Sequence, residues 1–298
     1  MRKIRLLLLV FFLVVFAVFM ASNIHEYLTS DYTAPEISAE EEVLYLSVGD
    51  PDEMLLRGLA AVDNLDGDVT DSLAVVSKSK FIAKGTRNIN YAAFDKNNNV
   101  GTYVRKLVYT DYHSPRFRIT EPMRFVYGNS SYNYLRYVTV MDCLDGNISQ
   151  QIKITFGDTE MASESVSQQK IHLQVTNSAG DSSVLVITAT FEDFDSYSKA
   201  SPALTDYVIY TKAGEKPDPP LRSYLDGIWM AGNRKKFSDL GFDPEKDVAI
   251  DDSRVDYNTP GLYVATYRLS RDTANANGGS YRVDFGKAEL IIVVEDAA

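Results

Sequence analysis

Two patterns of apolar and polar positions divide the chain. Behind Arg2, Lys3 and Arg5, the sixteen residues from Leu6 to Ala21 carry no polar side chain. Such a run predicts a helix that is apolar on every side, and at about 1.5 Å per residue it reaches about 24 Å. The hydrocarbon core of a bilayer is about 30 Å thick. Ile4 and a snorkelling Arg5 bring the helix close to that span. The competing reading, a cleaved signal peptide, needs small residues at −3 and −1 before the cut. A cut after Ala21 would place the bulky Phe19 at −3, and no cysteine follows the run to carry a lipid. The expectation is an uncleaved signal anchor over residues 1–21. Its cations stay in the cytoplasm, which sends residues 22–298 outside.

After a juxtamembrane linker, 22–31, the period changes to two. Ile89, Tyr91 and Ala93 alternate with Asn88 and Asn90, and Ile152, Ile154 and Phe156 with Lys153 and Thr155. Ile171, Leu173 and Val175 alternate with His172 and Gln174, and Tyr263, Ala265, Tyr267 and Leu269 with Val264, Thr266 and Arg268. Alternation of this kind predicts strands with one buried and one wet face. Turn clusters such as Lys96-Asn97-Asn98-Asn99, Asn177-Ser178-Ala179-Gly180-Asp181 and Asn258-Thr259-Pro260-Gly261 separate them. Short strands with frequent turns read as β-sandwiches.

Composition narrows the class. The chain has 298 residues, with 30 Lys and Arg against 41 Asp and Glu, a net charge of −11. Setting Arg2, Lys3 and Arg5 aside leaves 27 against 41, or −14, beyond residue 21. A surface that acidic repels nucleic acid. Cys143 is the single cysteine, so neither an internal disulfide nor a paired-cysteine zinc site is available. An exported bacterial protein without disulfides fits that usage.

The chain also repeats. Val62-Asp63-Asn64-Leu65-Asp66-Gly67-Asp68-Val69-Thr70 recurs 79 residues later as Met141-Asp142-Cys143-Leu144-Asp145-Gly146-Asn147-Ile148-Ser149. Each copy is followed by a strand ending in an Asx turn, at Asp95 to Asn99 and at Asn177 to Gly180, and then by an apolar closing strand. Ser114-Pro115 and Ser201-Pro202 read as linkers, because proline blocks strand continuation. The domains expected are 32–112, 113–195 and a variant third, 196–298, carrying an insertion at 212–247. Its last strand is expected over Glu289 to Glu295.

The pattern Asp-Asn-x-Asp-Gly-Asp-Val-Thr, a spacer, then Gly-x-Tyr-x-x-x-Tyr and an Asp/Asn-rich turn resembles the bacterial immunoglobulin-like repeat. Such repeats stand in tandem on Gram-positive surface proteins and are appended to some pesticidal crystal toxins. Residues 61–70 with 85–110 match it, as do 255–267. The second copy departs from it, with Asn147 replacing the third acid and no Gly-x-Tyr around Ser165-Val166-Ser167. The resemblance implies an all-β chain of three tandem immunoglobulin-like sandwiches after one transmembrane helix. It implies spacers, adhesins or accessory domains and says little of a ligand.

Candidate chemistry is sparse. His25, His113 and His172 sit beside the expected membrane, in a linker and on an outer strand face, none with an acid and nucleophile at a catalytic spacing. There is no G-x-S-x-G motif, and Gly278-Gly279 leads into Ser280-Tyr281 rather than a phosphate loop's Lys-Ser. Cys143 stands where the first copy has Asn64 and reads as a filler of the turn. Asp63, Asp66 and Asp68 could hold calcium, which takes six to eight oxygens. The competing reading is a capped turn in which Asp66-Gly67, repeated as Asp145-Gly146, is structural; the second copy loses the third acid, which a turn tolerates better than a metal site. The insertion contains the one tryptophan, Trp229, with Tyr224 and the cations Arg234-Lys235-Lys236. Aromatics beside cations can bind sugars or anionic polymers. The alternative is that Tyr224, Ile228 and Trp229 plug the sandwich edge.

The function expected is a membrane-anchored cell-surface protein, without catalysis or cofactor, that acts as spacer and binding module. Its partners would be the membrane, through the N-terminal helix, and an anionic cell-wall glycan or an envelope protein. The alternative is a tethered accessory to an envelope polysaccharide or peptidoglycan enzyme. Val293-Val294-Glu295-Asp296-Ala297-Ala298 is no sortase signal, so attachment is expected to fall on the helix.

Overall fold

The computed structural model describes residues 2–29, 31–128, 132–274 and 280–296. Gly278-Gly279 and the terminal Ala297-Ala298 lie outside them. Helix α1 (Arg2–Thr29) is exposed along residues 3–27. The chain forms two compact units, residues 1–112 and 113–298.

The first unit contains one sandwich of two sheets. Its smaller sheet is β1 (Glu36–Ala39), β3 (Leu59–Asp63) and β4 (Gly67–Asp68), in that order. The larger is β2 (Val43–Leu46), β7 (Val100–Tyr109), β6 (Thr86–Phe94) and β5 (Ala74–Ala83). The alternation read from the sequence is realised in β6, where Ile89, Tyr91 and Ala93 are fully buried. The Tyr91 hydroxyl donates to the Leu55 carbonyl at 2.8 Å, so the largest core side chain also satisfies its polar end. The entering chain is split: β1 pairs antiparallel with β3, and β2 crosses to pair in parallel with the last strand, β7.

The second unit repeats that plan twice. In its first sandwich, β8 (Arg116–Ile119), β10 (Val138–Asp142) and β11 (Gly146–Asn147) face β9 (Arg124–Val126), β14 (Ser182–Glu192), β13 (Val166–Thr176) and β12 (Lys153–Ser163). A short helix, α2 (Phe194–Tyr197), follows. In the third sandwich, β15 (Ser201–Leu204), β17 (Leu225–Met230) and β18 (Asn233–Lys235) face β16 (Val208–Lys212), β21 (Ser280–Glu295), β20 (Gly261–Ala274) and β19 (Val248–Asp251), with α3 (Pro244–Asp247) leading into β19. Here too the second part of the split strand runs parallel to the last: β9 with β14 and β16 with β21. The chain is therefore a helix followed by tandem immunoglobulin-like β-sandwiches.

Two expectations change. Ser201-Pro202 is not a linker but the start of β15, whose four residues are all buried. Proline is tolerated there because β15 is an edge strand, paired on one side only with β17. The last strand begins at Ser280 rather than Glu289. It continues a long hairpin with β20 in which polar residues such as Arg271, Asp272, Arg282 and Asp284 occupy paired positions, so the hydrophobic signal ends before the strand does.

The contact between the two sandwiches of the second unit is hydrogen-bonded and charged. Arg124, on β9, donates from Nε to Glu192 at 2.7 Å, from Nη1 to the Ser201 hydroxyl at 3.0 Å and from Nη2 to the Ser196 carbonyl at 3.2 Å. Tyr207 N–H donates to the Ile119 carbonyl at 2.8 Å, and Phe117 N–H to the Tyr210 hydroxyl at 2.7 Å. Arg118 pairs with Asp206 at 2.5 Å, and Arg116 with Glu295. Burial pushes the Tyr207 phenol up to about 12, so it stays neutral across the physiological range.

Gly101, on β7, faces the chain entering β1. A Cβ built there would stand 2.0 Å from the Pro35 carbonyl oxygen, a backbone atom that cannot swing away. Gly101→Ala is expected to cost the first unit on the order of 2–3 kcal/mol. Gly49→Ala, whose Cβ would meet nothing nearer than 3.8 Å, should be near neutral. Urea unfolding followed by far-ultraviolet circular dichroism compares the two; equal midpoints would contradict the close approach.

Candidate functional site

The insertion expected at 212–247 is largely the third sandwich itself, since β17 and β18 within it are two of the three strands of the smaller sheet. A bulge at Ala203/Leu204 and the buried run Gly227-Ile228-Trp229 hide β17 from a search for strict alternation. Trp229 is only 7% exposed and stands in register with Ser201 and Arg234 on its two neighbouring strands. Tyr224 ends a short 3₁₀ turn (Leu221–Tyr224) and packs half-buried against the core.

Arg234 pairs with Asp226 and donates to the carbonyls of Thr120 at 3.1 Å and Leu204 at 3.0 Å. It stitches the second sandwich to the third. Lys235 and Lys236 are exposed, with Lys235 on the edge strand β18. The five residues proposed from sequence thus do not form one face. Two aromatics are packed, one cation is structural, and Lys235 and Lys236 are presented to solvent. Cations on an edge strand also discourage a second chain from pairing there.

The remainder of the segment is fixed to the larger sheet. Arg222 donates to the carbonyls of Pro244 at 2.8 Å and Val248 at 3.1 Å. Arg271, on β20, pairs with Asp247 at 2.7 Å and lies over the Phe242 ring at 4.2 Å.

The acidic turns are built alike. Asp63 Oδ1 accepts from the N–H groups of Leu65 (2.9 Å) and Asp66 (2.8 Å), and Asp142 Oδ1 accepts from those of Leu144 and Asp145, both at 2.9 Å. Gly67 and Gly146 have φ of +73° and +70°, the left-handed conformation that closes each turn. The three acids of the first turn do not converge. Asp66 is turned to Lys96, accepting from its Nζ and its N–H at 2.8 Å each, and Asp68 accepts from Thr70 N–H at 2.9 Å. These bonds hold both carboxyls below the usual carboxylate range: the Lys96 side chain leads for Asp66 and the Thr70 side chain for Asp68. Asp63 meets a different pair. One carboxylate oxygen each from Asp31, Asp63 and Asp95 lies within 4.8 Å of the others.

His172 lies on the exposed face of β13. Cys143 donates its thiol to the His113 carbonyl at 3.2 Å, a backbone contact rather than one with the imidazole.

No protein-family model matches the chain, and no curated protein matches it. Among solved structures it is similar to the CBM51-2 and INT domains of Clostridium perfringens ZmpB, a structure in complex with GlcNAc, with 17% identity and a TM-score of 0.22. That match covers 51% of this chain and 26% of the other, so this chain spans about a quarter of that relative. A lipoprotein of Bacteroides thetaiotaomicron matches at 16% identity and TM-score 0.19, over 52% and 80% of the two chains. Mouse protocadherin-24 EC1-3 matches at 10% and 0.20, over 89% and 100%.

Asp247 gives the segment a pH signature. Its carboxyl is held below the usual carboxylate range, first by the Arg271 hydrogen bond. A lowered folded-state pKa contributes stability that is present above the unfolded value, about 3.9, and lost as pH falls through the folded value. Asp247→Asn is therefore expected to lower the melting temperature at pH 7, and the gap to the parent should narrow below about pH 4. Melting curves across that range check it; a gap that stays constant would exclude the ion pair as its source.

Proposed function

We propose that the chain is a membrane-anchored surface protein without catalytic activity, acting as a spacer and binding module. The observation that carries this is α1. It is apolar on every side, buries none of its spanning length in the protein, and has its cations at one end. A helix that finds no partner in the fold needs an apolar solvent, and the hydrocarbon of a bilayer is one.

The orientation is N-terminus inside, from Arg2, Lys3 and Arg5. Protease added to intact cells should digest the sandwiches and leave only a short membrane-held fragment. A protected C-terminal part, or soluble protein beginning near Asn23, would refute the retained anchor.

The partner proposed is an anionic cell-wall glycan, met by Lys235 and Lys236. They stand exposed beside one another in a chain of net charge −11, so an anion is repelled by most of the surface and drawn here. Deleting residues 222–237 would remove β17 and with it a core strand, so the informative variant is the double substitution Lys235→Ala, Lys236→Ala. Both side chains are exposed, and melting should stay within about 1 °C of the parent. Binding to isolated cell walls at low salt should fall at least about threefold, the order expected for losing two screened charges. Unchanged binding by the folded variant would place the partner elsewhere.

A further inference from the structure

Asp31, Asp63 and Asp95 reach one point from three parts of the first unit. Asp31 lies in the segment between α1 and β1, Asp63 ends β3 and Asp95 follows β6. Their grouped oxygens lie within 4.8 Å of one another. Like charges that close repel, and burial strengthens the repulsion. Lys96, next in sequence to Asp95, is committed to Asp66. Asp63 is only 3% exposed. Its Oδ1 is used by the turn, and Oδ2, the oxygen it has left to offer, is buried with no hydrogen-bond donor. Asp31 Oδ2 is buried in the same condition.

The second sandwich shows the same place with the problem solved. Asp142 matches Asp63 in every turn contact. Asn177 matches Asp95: its N–H bonds the Asp181 carbonyl as that of Asp95 bonds Asn99, and its Oδ1 accepts from Asp181 N–H as Asp95 Oδ1 accepts from Asn99. The Asn177 amide then donates to Asp142 Oδ2 at 3.1 Å, so the second carboxylate oxygen is satisfied. In the first sandwich the residue at that position is an aspartate. It cannot donate, and it brings a further negative charge.

We propose that Asp31, Asp63 and Asp95 bind one calcium ion. A cation supplies to Asp63 Oδ2 what the Asn177 amide supplies to Asp142. The donor set is all carboxylate, the hard oxygen chemistry that calcium takes, and it lacks the nitrogen and sulfur that favour zinc or copper. Ligands about 2.3–2.6 Å from one calcium lie no more than about 5 Å apart, which these oxygens satisfy. Magnesium demands a tighter, near-ideal octahedron. The frame is held before any ion arrives. Asn99 Nδ2 donates to Asp95 Oδ2 at 2.6 Å and to the Asp31 carbonyl at 3.0 Å, fixing the Asp31 segment beside the turn. Bound calcium would tie the segment leaving α1 to the first sandwich. That consequence for the tether rests on α1 being a retained anchor; ion binding does not.

The test uses the full chain in detergent after chelator treatment, titrated with calcium chloride. Calorimetry should show one ion per chain. A saturating concentration should raise the melting temperature of the first unit by about 5 °C or more, reversibly with chelator. Asp95→Asn supplies the amide that Asn177 supplies, while Asn99 Nδ2 gives up its bond to Asp95 Oδ2 and keeps the one to the Asp31 carbonyl. It should stay folded in chelator and no longer respond to calcium. Asp31→Ala lies before β1, outside the core, and should abolish the response while the fold persists; it decides the matter if Asp95→Asn fails to fold. No heat and no melting shift up to about 10 mM calcium, beyond the weak range of extracellular modules, would overturn the site. So would an Asp95→Asn variant that responds as the parent does. Magnesium acting as strongly as calcium would overturn the choice of ion. Because none of these readings depends on topology, their failure is separate from failure of the membrane anchor.

Discussion

A buried carboxylate must be given donors or a counter-charge, and one stands at the end of β3 in the first sandwich and of β10 in the second. Asp63 and Asp142 each spend one oxygen on two backbone N–H groups, which closes the turn into β4 and β11. Gly67 and Gly146 allow that closure by adopting positive φ. The other oxygen points the two copies to different solutions, an amide from Asn177 in one and a convergence with Asp31 and Asp95 in the other. An aspartate where the second copy has Asn177, together with Asp31, leaves the end of the first sandwich with carboxylates facing one another.

The second and third sandwiches depend on another buried charge. Arg124 and Glu192 have side chains only 15% and 11% exposed, and the arginine spends its remaining donors on Ser201 and α2. Removing either partner would strand a charge in the contact, which costs far more than the pair itself contributes. Arg116, Arg118 and Arg234 add further links, and Tyr207 and Tyr210 join the strands by hydrogen bonds. Residues 113–298 therefore behave as one unit with a shared apolar core rather than as two beads on a flexible linker.

Some of this is legible in the sequence. The period-two runs marked β6, β13 and β20, because alternation is a local consequence of one face meeting the core. The Leu-Asp-Gly repeat marked both turns, because a positive φ and a capping aspartate are local needs. The difference between Asp95 and Asn177 was also present in the aligned Asx turns, though nothing in the sequence said that either faced Asp63 or Asp142. Strand β17 and the opening half of β21 leave no such mark, since buried runs and polar hairpin arms lack the alternating signal.

The apolar helix, the β class and the repeated turn follow from neighbours along the chain. Which charges meet is a matter of how distant segments pack. Arg234 sits beside Lys235 and Lys236 in the chain, yet its guanidinium reaches Thr120, 114 residues away. Asp66 and Asp68 are adjacent to Asp63 in sequence but turn to Lys96 and Thr70, while Asp31 and Asp95 arrive from the chain on either side. Side chains stand on the faces of a sheet and meet those of adjacent strands, so the partners of a residue are set by the register of distant segments, which no local spacing records.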